Sequence, residues 1–260
     1  MRTFASFVLL LIALAAMPAS AAGPRIALVI GNDDYHGGLG PLDNAEKDVV
    51  LITGALINAG FEVDPVPNAR GKALSAAIAR LTSRLKQAGP GAVGLFYFAG
   101  HGLQYQGTNY LLPIDATVED PADISRTGLD MVNVLWAIQD GGALTSIVIL
   151  DACRRDHVSE TLQPVAEDGL TQPNTKGLDK KRNVLIVYST GLGETAADGD
   201  KAVGNSPFAI VLAENMRVPN QGIVDTFINV SSQMVDGFDQ KPWLDLGWTG
   251  REKFSFVSEP

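Results

Sequence analysis

Between Arg25 and Val257 the chain alternates short, almost unbroken apolar runs with longer segments whose apolar residues recur every three or four positions. The runs Arg25–Ile30 (RIALVI), Ala92–Phe98 (AVGLFYF), Thr145–Leu150 (TSIVIL) and Asn183–Tyr188 (NVLIVY) have the length and composition of strands buried on both faces, and Phe61–Val66 is a further candidate strand. Val49, Ile52, Leu56 and Ala59 predict a helix over 44–60 closed by Gly60. Leu74, Ala77, Ile78, Leu81, Leu85 and Ala88 predict a second, ended by Gly89-Pro90-Gly91. Further helices are expected over Met131–Ile138, Pro207–Met216 and Gly222–Val235, a hairpin over Leu103–Leu112 with its turn at Gly107-Thr108-Asn109, and a closing strand over Lys253–Val257. Alternation of this kind implies one domain with a three-layer α/β/α fold, its central, mainly parallel sheet having about six strands. Sheets of this type bind ligands at the carboxyl ends of their strands.

Two segments fall outside the pattern. Arg2, the uncharged run Phe4–Met17 and the small residues Ala19-Ser20-Ala21 read as a secretory signal peptide over residues 1–21, cleaved after Ala21 to leave a domain over 22–260. The run is short for a membrane span, so an uncleaved anchor is the lesser reading, and no membrane attachment is expected after cleavage. The expected destination is the periplasm or the cell exterior. Residues 157–182 hold few large apolar side chains and many Gly, Pro, Asp, Asn, Lys and Thr, which predicts a long exposed loop.

Composition narrows the chemistry. With 46% hydrophobic residues in 260 the chain can bury a sizeable core, and 29 acidic against 20 basic residues give a net charge of −9, which argues against a nucleic-acid partner. The single cysteine, Cys153, can form neither an internal disulfide nor a cysteine-based zinc site. In an oxidising compartment an unpaired thiol is either a small buried hydrophobe or a reactive group. Cys153 follows the fourth strand run almost at once. His101 follows the third, flanked by Gly100 and Gly102 and 52 positions before the cysteine. Both therefore fall at the same sheet edge, where a histidine within reach lowers a thiol's pKa and makes it a nucleophile. His36, in a glycine-rich loop, and His157, at the start of the long loop, lack this placement.

Tyr97-Phe98-Ala99-Gly100-His101-Gly102 and Ile149-Leu150-Asp151-Ala152-Cys153-Arg154 resemble the two catalytic motifs of the caspase and metacaspase family of cysteine peptidases, in its bacterial branch. The likeness extends to Gly31-Asn32, the 44–60 helix, Leu111-Leu112-Pro113-Ile114-Asp115 and Gly204-Asn205-Ser206-Pro207-Phe208. The resemblance implies a caspase-like fold, a Cys153 nucleophile, a His101 base, and an oxyanion hole from the backbone N–H groups of Gly102 and Cys153. It also implies a protein or peptide substrate and no metal or organic cofactor. Asp151 stands where the animal enzymes carry glutamine, and in the metacaspase branch an acid there joins one matching Asp48 in a pocket for Arg or Lys. Cleavage after basic residues is therefore expected; the ordinary alternative for Asp48 is a solvated helix position. Ala99 replaces a frequent serine of the pocket wall. Lys180-Lys181-Arg182, in the segment that family members often cut, is a candidate self-processing site. No calcium site is expected, because the hairpin after His101 has no acid before Asp115.

Other readings remain open at this point. A catalytically silent caspase-like module would use the same fold to bind a partner. Gly191-Leu192-Gly193-Glu194-Thr195-Ala196 matches a dinucleotide fingerprint, yet no helix is expected to open inside it, and no G-x-S-x-G elbow of a serine hydrolase is present. Oligomeric state is not legible in the sequence.

Overall fold

The computed structural model describes residues 23–36, 39–153, 176–179, 181–191, 196–199, 202, 204–247 and 254–258, with Cys153 described by its backbone. The expected signal peptide and most of the 157–182 loop lie outside the described residues.

In chain order the elements are β1 (Arg25–Gly31), α1 (Ala45–Asn58), β2 (Glu62–Pro67), α2 (Gly71–Ala88), β3 (Val93–Tyr105), β4 (Thr108–Leu111) and α3 (Pro121–Thr127). They continue with β5 (Leu129–Asp130), α4 (Met131–Asp140), β6 (Thr145–Cys153), β7 (Asn183–Tyr188), α5 (Pro207–Asn215), α6 (Ile223–Phe238) and β8 (Trp243–Gly247). The main sheet has the order β2-β1-β3-β6-β7-β8. All its pairs are parallel except β7 with β8. The short strands β4 and β5 extend antiparallel from the far end of β3.

The runs of β1, β3, β6 and β7 are apolar because both faces are covered, whereas the edge strand β2 carries Glu62 and Asp64 and is only partly buried. Ala27 and Val29 of β1, Leu95 and Tyr97 of β3, and Ile147 and Ile149 of β6 pack under α1, α5 and α6. Their neighbours Leu28, Phe96, Phe98, Val148 and Leu150 face α2 and α4. This period of two assigns each side chain to a layer, so Ala99 and Asp151 fall on the α1 side of the sheet. A smaller core of Tyr35, Leu39, Leu103, Leu112, Ile114 and Ile124 packs beneath the β3–β4 hairpin.

Three local expectations are corrected. The hairpin turns at Gln106-Gly107, one residue earlier than expected, where φ of 50° and 73° make the paired left-handed turn that matches strand twist. The strand closing the sheet is β8; Phe254–Val257 makes only isolated bridges to Pro219 and Gly222. Phe254 and Phe256 instead plug the core against Phe61, and the Arg25 guanidinium holds the carbonyls of Ser255 and Phe256 at 3.0 and 2.6 Å. Alternating Phe-x-Phe thus fills a gap between layers rather than adding a strand. Helix α3, which weak periodicity hid, starts at an Asp120 capping box followed by Pro121.

Gly31 sets how closely α1 can lie on β1. A Cβ there would sit 2.0 Å from the Ala45 carbonyl oxygen and 2.6 Å from Val49 Cγ2, so the first turn of α1 rests on bare backbone. Gly31→Ala is expected to destabilise the fold by about 1–3 kcal/mol through overpacking. Urea unfolding checks this, and an unchanged midpoint contradicts it.

Candidate active site

Strands β3 and β6 are adjacent, parallel and paired through Ala99↔Asp151, Gly100↔Ala152 and His101↔Cys153. The two residues singled out by the motifs, 52 positions apart in sequence, are therefore cross-strand neighbours at about 4.8 Å, the ordinary strand spacing. Gly100 lets Tyr35 and Phe98 close on the backbone just before His101. Its φ is +153°, and a Cβ there would lie 2.5 Å from the Tyr35 hydroxyl and 3.0 Å from the Phe98 ring. Gly102 takes no positive φ and pairs with Leu111 as ordinary strand, so the conformational argument holds for one flanking glycine only.

His101 is buried and gripped by the segment after β1. The Tyr35 ring lies 4.4 Å from the imidazole, and its hydroxyl accepts from the His101 N–H at 2.8 Å while donating to the Leu112 carbonyl at 3.0 Å. His101 Nε2 lies 2.7 Å from the Gly40 carbonyl oxygen. A carbonyl only accepts, so Nε2 carries the hydrogen and Nδ1 is the basic nitrogen.

Beside this pair opens a pocket lined among others by Leu42, Asp48, Ala99, Asp151, Asp198 and Ser206. Asp48 is only 1% exposed and Asp151 7%, which excludes the solvated reading of Asp48. Ser206, the N-cap of α5, joins them: its N–H donates to Asp48 Oδ1 at 3.0 Å and its hydroxyl to Asp151 Oδ2 at 2.6 Å. Asn205 Nδ2 donates to Asp48 Oδ1 at 2.8 Å, and the buried Tyr97 hydroxyl reaches Asp151 Oδ2 at 3.4 Å. None of the ion pairs among the described residues involves either carboxylate. Desolvation, with repulsion from Asp151, pushes Asp48 up to about 7. Asp151 is pushed up to about 6, again by desolvation first, with hydrogen bonds from Ser206 and Ser189 acting the other way. The pocket thus holds acid groups that ionise reluctantly, and a cation placed beside them would favour ionisation.

Sequence reasoning missed Asn205, Ser206, Tyr97, Tyr35 and Gly40 as parts of this site. Tyr97 and Asn205-Ser206 fell within the family likeness without a role, and Ser206-Pro207 also carried the signal of a helix start. The candidate processing residues are split. Lys180 lies outside the described residues, and Lys181 is exposed. Arg182 donates to the carbonyls of Gln139 and Ala143 at 2.5 and 3.2 Å and pairs with Asp179. No helix opens over 196–199, as the dinucleotide reading would need, and α5 begins only at Pro207. Among the described residues no group of three or more His, Cys, Asp or Glu could hold a metal ion, and no helix is long and apolar enough to cross a membrane.

The family model of the caspase domain, peptidase C14, matches residues 24–250. The chain belongs to this family. It is similar to the mucosa-associated lymphoid tissue lymphoma translocation protein 1 of Homo sapiens and its Mus musculus homolog, 27% identical to each over 175 residues. That stretch is 66% of this chain but only 19% of each relative, so the chain matches about a fifth of their length. The fold resembles the crystal structure of caspase-1 from Spodoptera frugiperda, with a TM-score of 0.65 and 17% identity over 91% of this chain and 90% of that one. The three-layer fold is caspase-like, and the family is one of cysteine peptidases.

The raised carboxylates give a signed prediction. Their folded pKa values exceed those of the unfolded chain, so between pH 4 and pH 7 the folded state binds more protons and stability falls as pH rises through that window. Asp48→Asn keeps an oxygen for the bonds from Asn205 and Ser206 while removing the charge. Relative to the parent it is expected to be near neutral at pH 4.5 and stabilising by on the order of 2 kcal/mol at pH 8. Thermal unfolding at the two pH values measures this, and a pH-independent difference contradicts it.

Proposed function

We propose that the chain is an exported cysteine endopeptidase that cleaves after Arg or Lys. The observation that carries this reading is the register placing His101 beside Cys153, one step past a pocket whose buried groups are Asp48 and Asp151. Export rests on the N-terminal pattern of residues 1–21.

In this mechanism the substrate's basic side chain enters the pocket and pairs with Asp48 and Asp151, which excludes an acidic side chain by like-charge repulsion. Ala99 leaves that wall small and apolar. His101 Nδ1 takes the proton of the Cys153 thiol, and Nε2–H stays on the Gly40 carbonyl, holding ring and tautomer. The thiolate attacks the scissile carbonyl carbon, and the N–H groups of Gly102 and Cys153 receive the oxyanion. Collapse breaks the C–N bond, with the His101 proton going to the leaving amine. Water, deprotonated by His101, then hydrolyses the thioester and restores the thiol. This chemistry draws on no metal and no organic cofactor. Self-processing falls to the bonds after Lys180 and Lys181, because Arg182 is held by two backbone carbonyls.

Purified chain starting at Ala22 is expected to cleave fluorogenic peptides with Arg or Lys before the scissile bond, to ignore those with Asp, and to lose at least about 10³-fold in kcat as Cys153→Ala. Mass spectrometry of the same incubation reports any cut after Lys180 or Lys181. Equal cleavage by Cys153→Ala overturns the mechanism, and cleavage confined to Asp substrates overturns the pocket assignment. A folded protein that captures a partner but cuts no peptide establishes the silent binding module instead.

A further inference from the structure

Asp198 lines the pocket, and its carboxylate also holds the segment that follows β1. Oδ2 accepts the backbone N–H of Asp43 at 2.5 Å, and the Asp198 carbonyl accepts Asn44 Nδ2 at 2.7 Å. Asp43 lies three residues after Gly40, whose carbonyl fixes His101 Nε2. Between them Leu42 lines the same pocket, with its N–H bonded to the Asp33 carbonyl. The other side of this wall is anchored too. Buried Gln240 accepts the Ala197 N–H at 3.1 Å and donates to the Ser189 carbonyl at 2.7 Å, tying residues 197–198 to the end of β7. A fixed jaw therefore grips the segment from Gly40 to Asn44 through one residue.

We propose that Asp198 is a positioning residue for His101, clamping the Gly40–Asn44 segment to the pocket wall and so holding in place the Gly40 carbonyl that orients the base. The inference rests on the Cys153–His101 reading above. Burial and the carboxylates of Asp43 and Asp33 push Asp198 up, and Asp198 in turn raises Asp151.

The test compares Asp198→Ala, Asp198→Asn and Asn44→Ser with the parent by steady-state kinetics on an Arg peptide and by the pH profile of Cys153 alkylation with iodoacetamide. Asp198→Ala is expected to lower kcat by about 10–100-fold with KM changed less than about threefold, since small misplacements of catalytic groups cost that much. Its alkylation inflection moves up toward that of a free thiol, near about 8.5. Asp198→Asn, which keeps an acceptor for the Asp43 N–H, recovers most of the loss. Asn44→Ser moves both readouts in the direction of Asp198→Ala and carries the test if that variant does not fold. A lowered Tm with kcat and inflection unchanged reduces Asp198 to a structural contact and overturns the proposal. So does an Asp198→Asn variant with KM raised tenfold at constant kcat, which makes the carboxylate a substrate ligand. His101→Ala is run alongside. If it leaves the alkylation profile of the parent unmoved, the dyad reading itself fails and the clamp falls with it; if it shifts the profile and Asp198→Ala does not, the clamp alone fails.

Discussion

Everything at this site depends on the parallel register of β3 against β6. Sliding one strand by a single residue would send Asp151 from the α1 side of the sheet to the α2 side and would separate Ala99, Gly100 and His101 from their partners. Apolar residues on both faces hold that register, since a slip would misplace Phe96 and Phe98 on one face and Leu95 and Tyr97 on the other. The chemistry is thereby assigned to strand ends by the packing of strand middles. Gly100 is the local concession: only a residue without a side chain lets Tyr35 and Phe98 close around the histidine backbone.

The same core imposes an electrostatic cost. Two carboxylates sharing a desolvated pocket, joined by Ser206 and without a cationic partner among the described residues, are an arrangement that a stability-driven sequence avoids. Their retention agrees with a site shaped for a positive ligand, where local conflict with packing rules marks function. The N-terminus of α5 offsets part of the cost, because Ser206 caps that helix and its positive end faces the acids.

Periodicity made most of the fold legible. The five strand runs and their alternation with amphipathic helices led to the parallel sheet, and placing His101 and Cys153 at one edge needed only strand ends. Asp48 was not decidable from spacing, because a single acid in a helix of moderate amphipathicity reads the same whether solvated or buried. Its contacts with Asn205 and Ser206 lie more than 150 positions away in sequence and leave no local trace. Phe254 and Phe256 misled for a related reason: alternation of large apolar residues describes a strand and a core plug equally well. Tyr35, Gly40 and Asp198 were silent, being loop residues whose roles come from what the sheet brings against them.

The central claim is that Cys153 is a nucleophile activated by His101 beside a pocket that selects a basic side chain. Covalent labelling tests it most directly: the protein is treated with peptidyl acyloxymethyl ketones bearing Arg or Asp next to the warhead, and adducts are mapped by mass spectrometry. A single adduct on Cys153, formed at least about tenfold faster with the Arg reagent and abolished in His101→Ala, is the predicted result. An unlabelled Cys153, or labelling as fast with the Asp reagent, would contradict it.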